Sequence, residues 1–124
     1  MVTDAIAGIG KATALRLAQD GASIVINYAS DSTSANELVK QIGSNRALAV
    51  QADAGSVSGI ETMVNATVKH FGKIDILIPN AGILPMKDLQ HTSEDDFDQI
   101  MKLNVKGPYF LVQVRSNPFP SNTS

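Results

Sequence analysis

The chain has 124 residues, 44% of them hydrophobic, which is enough to bury the core of one modest domain. Ten basic and 12 acidic residues give a net charge of −2, which argues against a nucleic acid or an anionic membrane as partner. The lack of cysteine excludes disulfides and thiolate zinc sites, and two histidines are too few for a multi-histidine metal site. The sequence therefore predicts a protein without a metal. Neither a membrane span nor a signal peptide is recognisable, so it also predicts a cytoplasmic location.

The first motif is the glycine loop, Asp4–Lys11, which follows the tail of a strand at residues 1–3. A helix is predicted from Gly8 to Gln19. Gly8 and Gly10 lie where the loop enters this helix, and the missing Cβ atoms let backbone N–H groups approach a phosphate. The third glycine of the general Gly-x-Gly-x-x-Gly pattern is absent, so this motif alone is weak.

Strands and helices are predicted to alternate through the rest of the chain. Continuous apolar runs, which suit parallel strands covered on both faces, predict strands at 22–28, 46–51 and 74–78. Two serine–glutamate pairs with capping-box spacing predict the starts of the helices between these strands, and a glycine predicts the end of each. The pairs are Ser34 with Glu37 and Ser58 with Glu61, and the glycines are Gly43 and Gly72.

A last helix is predicted to start at Thr92 or Ser93, with acidic residues in its first turn. Its predicted buried face consists of Phe97, Ile100, Met101 and Val105. The alternation predicts right-handed βαβ units and a parallel sheet, so the fold class is α/β. We expect about four strands and four helices, a doubly wound sheet truncated at both ends, in a domain of residues 1–115 with a disordered tail at 116–124.

Ligands of such sheets bind beyond the carboxyl ends of the strands, where four segments of this chain are expected to meet. They are the glycine loop and residues 27–30, 52–54 and 80–82. Together they resemble the cofactor contacts of short-chain dehydrogenases/reductases, with ketoacyl-carrier-protein reductases and fungal hydroxynaphthalene reductases as the most similar types. Two positions depart from that family: Asp4 replaces the first glycine of its Thr-Gly-x-x-x-Gly-Ile-Gly loop, and Pro79 replaces the first asparagine of its Asn-Asn-Ala-Gly motif.

The resemblance implies a Rossmann-like fold that binds a dinucleotide. Asn27 and Tyr28 stand where an acid would select NAD, so they favour NADP, with NAD as the alternative cofactor and an ordinary polar turn as the other interpretation. Asp53 resembles the aspartate that reaches the adenine, although it could equally cap the following helix. The implied cofactor-binding residues are Thr3, Gly8, Ile9, Gly10, Asn27, Tyr28, Ser30, Asp53, Ala54, Asn80, Ala81 and Gly82.

Asn104 is the candidate catalytic residue. It is predicted on the apolar face of the last helix, and its carbonyl has no i+4 donor because Pro108 lacks an N–H. The resemblance implies that this carbonyl holds a water of the proton relay. The alternative is a helix that simply ends at residues 106–108.

The family's catalytic serine and its Tyr-x-x-x-Lys pair are missing from the sequence. The resemblance implies that the full-length form reduces the carbonyl of a small molecule by hydride transfer from NADPH, and that it forms a homo-oligomer. The other interpretation is a catalytically inactive relative that binds a nucleotide, or a partner through its open sheet edge or its last helix.

Overall fold

The structure, a computed structural model, describes residues 1–116. Its first half alternates α1 (Gly8–Gln19), β1 (Ile24–Tyr28), α2 (Ser32–Ile42), β2 (Ala47–Gln51) and α3 (Val57–Phe71). The second half contains a 3₁₀ turn (Leu89–His91), α4 (Glu94–Met101), a π-helical segment (Lys102–Lys106) and α5 (Gly107–Ser116). α1 has the bounds that the sequence predicts for the first helix, Gly8 to Gln19. The tail predicted for residues 116–124 starts inside α5, and residues 117–124 lie outside the described residues.

The sheet has two full strands, β1 and β2, which pair in parallel from Ile24 opposite Ala47 to Tyr28 opposite Gln51. Val2 extends it by single parallel bridges to Ile26 on one side and to Ile78 on the other. The prediction of a complete strand at 74–78 is therefore wrong. Among residues 1–116, only residues 1–3 pair with that segment, and a parallel ladder cannot be longer than its shorter member.

Apolar side chains are buried on both faces of this sheet. Because successive strand residues point to opposite faces, Ile24 and Ile26 pack on one side while Val25 packs on the other. The first side is covered by α1 and α2 and the second by α3 and α5. This two-sided burial explains the continuous apolar run of β1. The fully buried core side chains include Val2, Ala14, Leu38, Ile60, Met63, Val64 and Leu111.

The predicted capping boxes at Ser34 and Ser58 are wrong. Asp31 caps α2, because its carboxylate accepts the Ser34 N–H at 3.0 Å, and Ser56 caps α3 by accepting the Gly59 N–H at 3.4 Å. Each helix therefore starts earlier than its serine–glutamate pair suggests, since an equally good capping residue precedes that pair. Both helices end at the predicted glycines, and Gly72 adopts a left-handed φ of 83°.

The last helix begins at Ser93 with a capping box to Asp96, in agreement with the prediction of Thr92 or Ser93. It continues past Pro108 by widening into the π-helical segment, where the Gly107 N–H bonds the carbonyl of Lys102. The alternative that the helix ends there is wrong. The predicted burial of its apolar face is wrong for three of the four residues, because Phe97, Met101 and Val105 are exposed while Ile100 is half-buried.

Candidate functional site

Direct hydrogen bonds join the four predicted segments at the carboxyl end of the sheet, which we call the rim. The Asp4 N–H donates to Asn27 Oδ1 at 3.3 Å, and Asn27 Nδ2 donates to the carbonyl of Ala52 at 3.0 Å. From the other side, Asn80 Nδ2 donates to the carbonyls of Thr3 and Asp4, both at 3.1 Å. The rim therefore has the convergent geometry that the strand-end motifs predict.

The glycine loop leaves the first turn of α1 open. Ala7, at the N-cap, provides no side-chain acceptor, so the first N–H groups of the helix lack a capping partner. Gly8 has a φ of +53°, and a Cβ on it would meet no atom within 4 Å. Ile9, next to it, is 79% exposed. Free N–H groups at the positive end of a helix dipole favour an anion.

Gly10, by contrast, is buried where the loop touches its own helix. A Cβ on Gly10 would lie 2.3 Å from the Asp4 carbonyl oxygen and 2.5 Å from Asn80 Nδ2. The residue is therefore required for close packing of the loop against α1, while Gly8 is required for the turn.

Asp4 is the unfavourable residue of this loop. It has a φ of +48°, the only positive value of a non-glycine residue in the part of the chain that the structure describes. Its backbone is held by Asn27 and Asn80, and the residue is exposed. A carboxylate in the loop that leads into α1 adds negative charge near a helix start that favours an anion.

Thr3 joins the glycine loop to the segment at 80–82. Its hydroxyl oxygen accepts the N–H groups of Asn80 and Ala81, both at 2.9 Å, and the side chain is buried. Gly82 follows at the exposed end of the segment. These contacts fix the spacing between the two loops.

The segment after β1 separates into a buried and an accessible part. Asn27 is 2% exposed, and its amide nitrogen also lies 3.3 Å from the carbonyl of Val50. Tyr28 is half-buried and Ser30 is exposed. Of the predicted contacts in this segment, Tyr28 and Ser30 present side-chain surface to a ligand, whereas the Asn27 side chain points into the protein.

Asp53 lies on the rim with both carboxylate oxygens engaged. Oδ2 accepts Lys102 Nζ at 2.9 Å and Oδ1 accepts the Gly55 N–H at 2.8 Å. The hydrogen bond from Lys102, followed by that from Gly55, holds the pKa of Asp53 below its usual value. The helix cap is Ser56, so the alternative role of Asp53 as the cap of α3 is wrong.

Lys102 is a rim residue that the sequence motifs do not indicate. It lies 49 residues from Asp53 and meets it only because the π-helical segment packs on the loop at 53–55. The fit there is close, since a Cβ on Gly107 would lie 2.3 Å from the carbonyl oxygen of Ala54.

Asn104 is exposed, so its predicted burial on the helix face is wrong. Its side chain instead pairs with the backbone of Ile83: Oδ1 accepts the Ile83 N–H at 2.8 Å, and Nδ2 donates to the Ile83 carbonyl at 2.7 Å. This pair of hydrogen bonds fixes the π-helical segment against the end of the 80–82 segment. Asn104 thereby belongs to the rim.

Residues 1–116 contain no group of three or more histidine, aspartate or glutamate side chains arranged to hold a metal ion. Within the same range, none of the helices is both long enough and apolar enough to cross a membrane. A cavity of about 300 Å³ opens at the amino end of the sheet, beside Met1, Phe71 and Ile74. It lies away from the rim and adds no residue to it.

Comparison with known proteins agrees with this geometry. The family model described as short chain dehydrogenase matches residues 1–122. A probable tetrahydroxynaphthalene reductase of Zymoseptoria tritici is 36% identical over 115 residues, which are 91% of this chain and 43% of that protein. The chain thus spans less than half the length of this curated relative.

Solved structures are similar over the same half. A short chain dehydrogenase from Burkholderia cenocepacia in complex with NADP matches with a TM-score of 0.89 and 35% identity, over 93% of this chain and 48% of that one. A 3-ketoacyl-(acyl-carrier-protein) reductase from Brucella melitensis complexed with NADH matches with a TM-score of 0.83 and 35% identity, over 90% and 46%. The family-model match and the shared α/β fold together show that this chain belongs to the short-chain dehydrogenase family.

Proposed function

We propose that the chain is the cofactor half of an NADP-dependent reductase that converts a small carbonyl compound to an alcohol. The observation that carries the proposal is the convergence of four strand-end segments on a rim that includes the uncapped start of α1. A dinucleotide pyrophosphate matches the open N–H groups there, and Asp53 offers a carboxylate acceptor for an adenine amino group. Asp4 is the one rim residue whose charge opposes this fit.

The residues proposed to border the cofactor follow the rim in order. Those of the glycine loop are Thr3, Gly8, Ile9 and Gly10, and the remainder are Asn27, Tyr28, Ser30, Asp53, Ala54, Asn80, Ala81 and Gly82. Bound NADPH supplies the hydride that a carbonyl carbon accepts. The family's serine and Tyr-x-x-x-Lys are not among these 124 residues, so carbonyl reduction is proposed for the longer protein and cofactor binding for this chain.

NADP is proposed over NAD because residues 27–30 contain no acid to bond a ribose 2′-hydroxyl and repel a 2′-phosphate. Asp31 follows them, but it caps α2 by accepting the Ser34 N–H. The bond from the Ser34 hydroxyl, followed by that from the Ser34 N–H, holds the pKa of Asp31 below its usual value. Of the two similar structures, one is a complex with NADP and the other with NADH, so NAD is the alternative cofactor.

Asn104 is proposed to contribute its backbone carbonyl to the proton relay of the longer protein. Pro108 cannot donate an N–H to this carbonyl, and the side-chain bonds to Ile83 hold the residue at the rim. Both features leave the carbonyl available to a water near the 80–82 segment.

Titration of this chain with NADPH, followed by nicotinamide fluorescence, tests the proposal. We expect a saturable change that adenosine 2′,5′-bisphosphate competes away more effectively than ADP, because only the former carries the 2′-phosphate. The absence of a saturable change at millimolar NADPH would contradict a cofactor site here. Equal competition by the two nucleotides would instead favour NAD.

A second candidate is a module that binds a partner, and one observation favours it. The apolar side chains of α4 and the segment after it are exposed, including Phe97, Met101, Val105, Tyr109 and Val112. We infer that a second copy of the chain covers this surface, so that the protein is a homo-oligomer. A cytoplasmic location is proposed separately, from the sequence. Light scattering tests the oligomer, and a rim that binds no nucleotide would favour this function over the first.

A further inference from the structure

The amide of Asn27 lies between two loops of the rim. Its oxygen accepts the Asp4 N–H at 3.3 Å, and its nitrogen lies within 3.3 Å of the Val50 carbonyl and 3.0 Å of the Ala52 carbonyl. At 2% exposure the side chain has almost no surface left for a ligand. It therefore uses both ends of its amide inside the protein.

These side-chain bonds add to the backbone bonds that join β1 to both loops, from the Ala5 N–H to the Asn27 carbonyl and from the Ala52 N–H to the Tyr28 carbonyl, both at 3.1 Å. Asp4 precedes the start of α1 in the middle of the rim, because Val2 lies between Ile26 and Ile78, and Ala52 precedes Asp53 at the β2 end. An unsatisfied buried N–H or carbonyl is costly, so removing the amide would leave both loops with unpaired groups. The Asn27 side chain thus ties the loop at Asp4 to the loop at Ala52, beyond what the backbone pairing provides.

We infer that Asn27 is a positioning residue of the cofactor site, acting on the dinucleotide through the loops at Asp4 and Asp53 and not by side-chain contact. The inference rests on the proposed cofactor function. It reassigns the side chain of a residue that the sequence motif places among the cofactor contacts.

The variant Asn27→Asp tests this, because aspartate has the same shape but changes its hydrogen-bonding pattern with pH. A protonated carboxyl can donate to the Ala52 carbonyl while its other oxygen accepts the Asp4 N–H, as asparagine does. An ionised carboxylate can only accept, so it would face the carbonyl oxygens of Val50 and Ala52 without a proton. Burial raises the pKa of such a carboxyl, which brings its titration towards neutral pH.

The charged or titratable groups around this position are few. Asp4 lies on the bonded loop, Tyr28 is the next residue, and Asp53 follows Ala52 with Lys102 paired to it. These groups are unchanged in the variant. The titration of the cofactor phosphate affects both proteins equally and cancels in the ratio of variant to wild-type affinity. This ratio at each pH therefore reports the new carboxyl.

We expect NADPH affinity of Asn27→Asp to be about tenfold or more below wild type near pH 8 and within about threefold near pH 5. Asn65→Asp, an exposed site on α3, should follow wild type throughout. By NMR, the Asp4 amide signal of Asn27→Asp should titrate with the midpoint of the affinity loss. Variant affinity that tracks wild type at every pH, or a pH-independent loss with a static Asp4 amide, would overturn the inference.

A measurement on the wild-type chain covers the case in which the variant does not fold. The Asn27 side-chain NH₂ protons should exchange slowly with solvent in the absence of cofactor, because their acceptors are already in place. Fast exchange would overturn the positioning role. If wild type binds no NADPH, the proposed function fails and the cofactor part of this inference with it, while slow exchange would still support the fixed spacing of the loops.

Discussion

A side chain at Gly10 would collide with the backbone of the loop that precedes it. The Cβ of Gly10→Ala would lie 2.3 Å from the Asp4 carbonyl oxygen and 2.5 Å from Asn80 Nδ2. We expect a loss of ~1–3 kcal/mol in unfolding free energy, or roughly 5–20 °C in Tm, and loss of NADPH binding. Thermal unfolding and fluorescence titration measure both. The control for stability is Gly82→Ala, whose Cβ would meet Asn104 Oδ1 at an ordinary 3.4 Å; an equal loss of unfolding free energy in the control would refute the steric argument.

At Asp4, charge and backbone conformation both disfavour the residue found there. A carboxylate about 4 Å from a pyrophosphate costs on the order of 1–4 kcal/mol, and a φ of +48° is strained for a residue with a Cβ. We expect Asp4→Gly to tighten NADPH binding by about tenfold to a thousandfold. Asp4→Asn keeps the side chain and removes its charge, so titration of both variants separates the two effects. An unchanged affinity in both would show that the carboxylate points away from the ligand.

Residues whose role follows from local sequence could be predicted, and those whose role depends on distant contacts could not. Gly8 and Gly10 are recognisable because a turn and a close approach are local requirements. The pairing of Lys102 with Asp53 across 49 residues has no local signal. The inward orientation of Asn27 depends on the carbonyls of another strand, so a motif alone could indicate only that the residue lies at the rim.

The N-terminal end of α4 depends on Asp96 and is therefore sensitive to acid. The Asp96 carboxylate accepts Lys87 Nζ at 2.7 Å and the Ser93 N–H at 2.9 Å, and these bonds lower its pKa from 3.8 to about 2. Because the folded-state pKa lies below the unfolded value, this stabilisation is present above pH 3.8 and is lost as the pH falls to about 2. We expect the Ser93 and Phe97 amide signals in NMR spectra to move in that interval.

The matched comparison for this helix start is Asp96→Asn against Asp95→Asn. Both remove one charge from the first turn of α4, but only the first removes the titratable carboxylate of the capping box, since an asparagine oxygen can still accept the Ser93 N–H. The acid-dependent shift should disappear in Asp96→Asn and persist in Asp95→Asn. Persistence in both would assign the shift to another carboxylate of the turn.

Among the elements, helices with strong local signals were predictable in position, whereas the fourth strand was not. The segment at 74–78 has the apolar run of a strand, but strand formation needs a partner of matching length, and within the described part of the chain only residues 1–3 pair with it. The π-helical segment likewise arises from a balance. Pro108 removes a helical donor, and the packing of α5 on the core keeps the helix going beyond it.

For the whole molecule, the fold class was predictable because strands and helices alternate along the chain, and a parallel sheet then brings the four strand-end motifs to one edge. The orientation of the last helix was not predictable by the same reasoning. Its periodicity identifies an apolar face, yet periodicity does not show whether that face packs within the chain or on another molecule. In the described residues it is exposed while α5 packs on α3 through Leu111.

The exposed face of α4 and α5 makes self-association the prediction for the molecule as a whole. Acidic residues lie near its start and basic ones near its end, so a two-fold antiparallel contact would bring Glu94 and Asp98 of one copy towards Lys106 of the other. We expect a dimer by light scattering, and a monomer for Val105→Glu, which places a charge on a side chain 52% exposed at the centre of that face. Leu84→Glu, at 78% exposure on a loop, is the control and should leave the mass unchanged. A wild-type monomer at every concentration, or equal dissociation by both variants, would reject this surface as the interface.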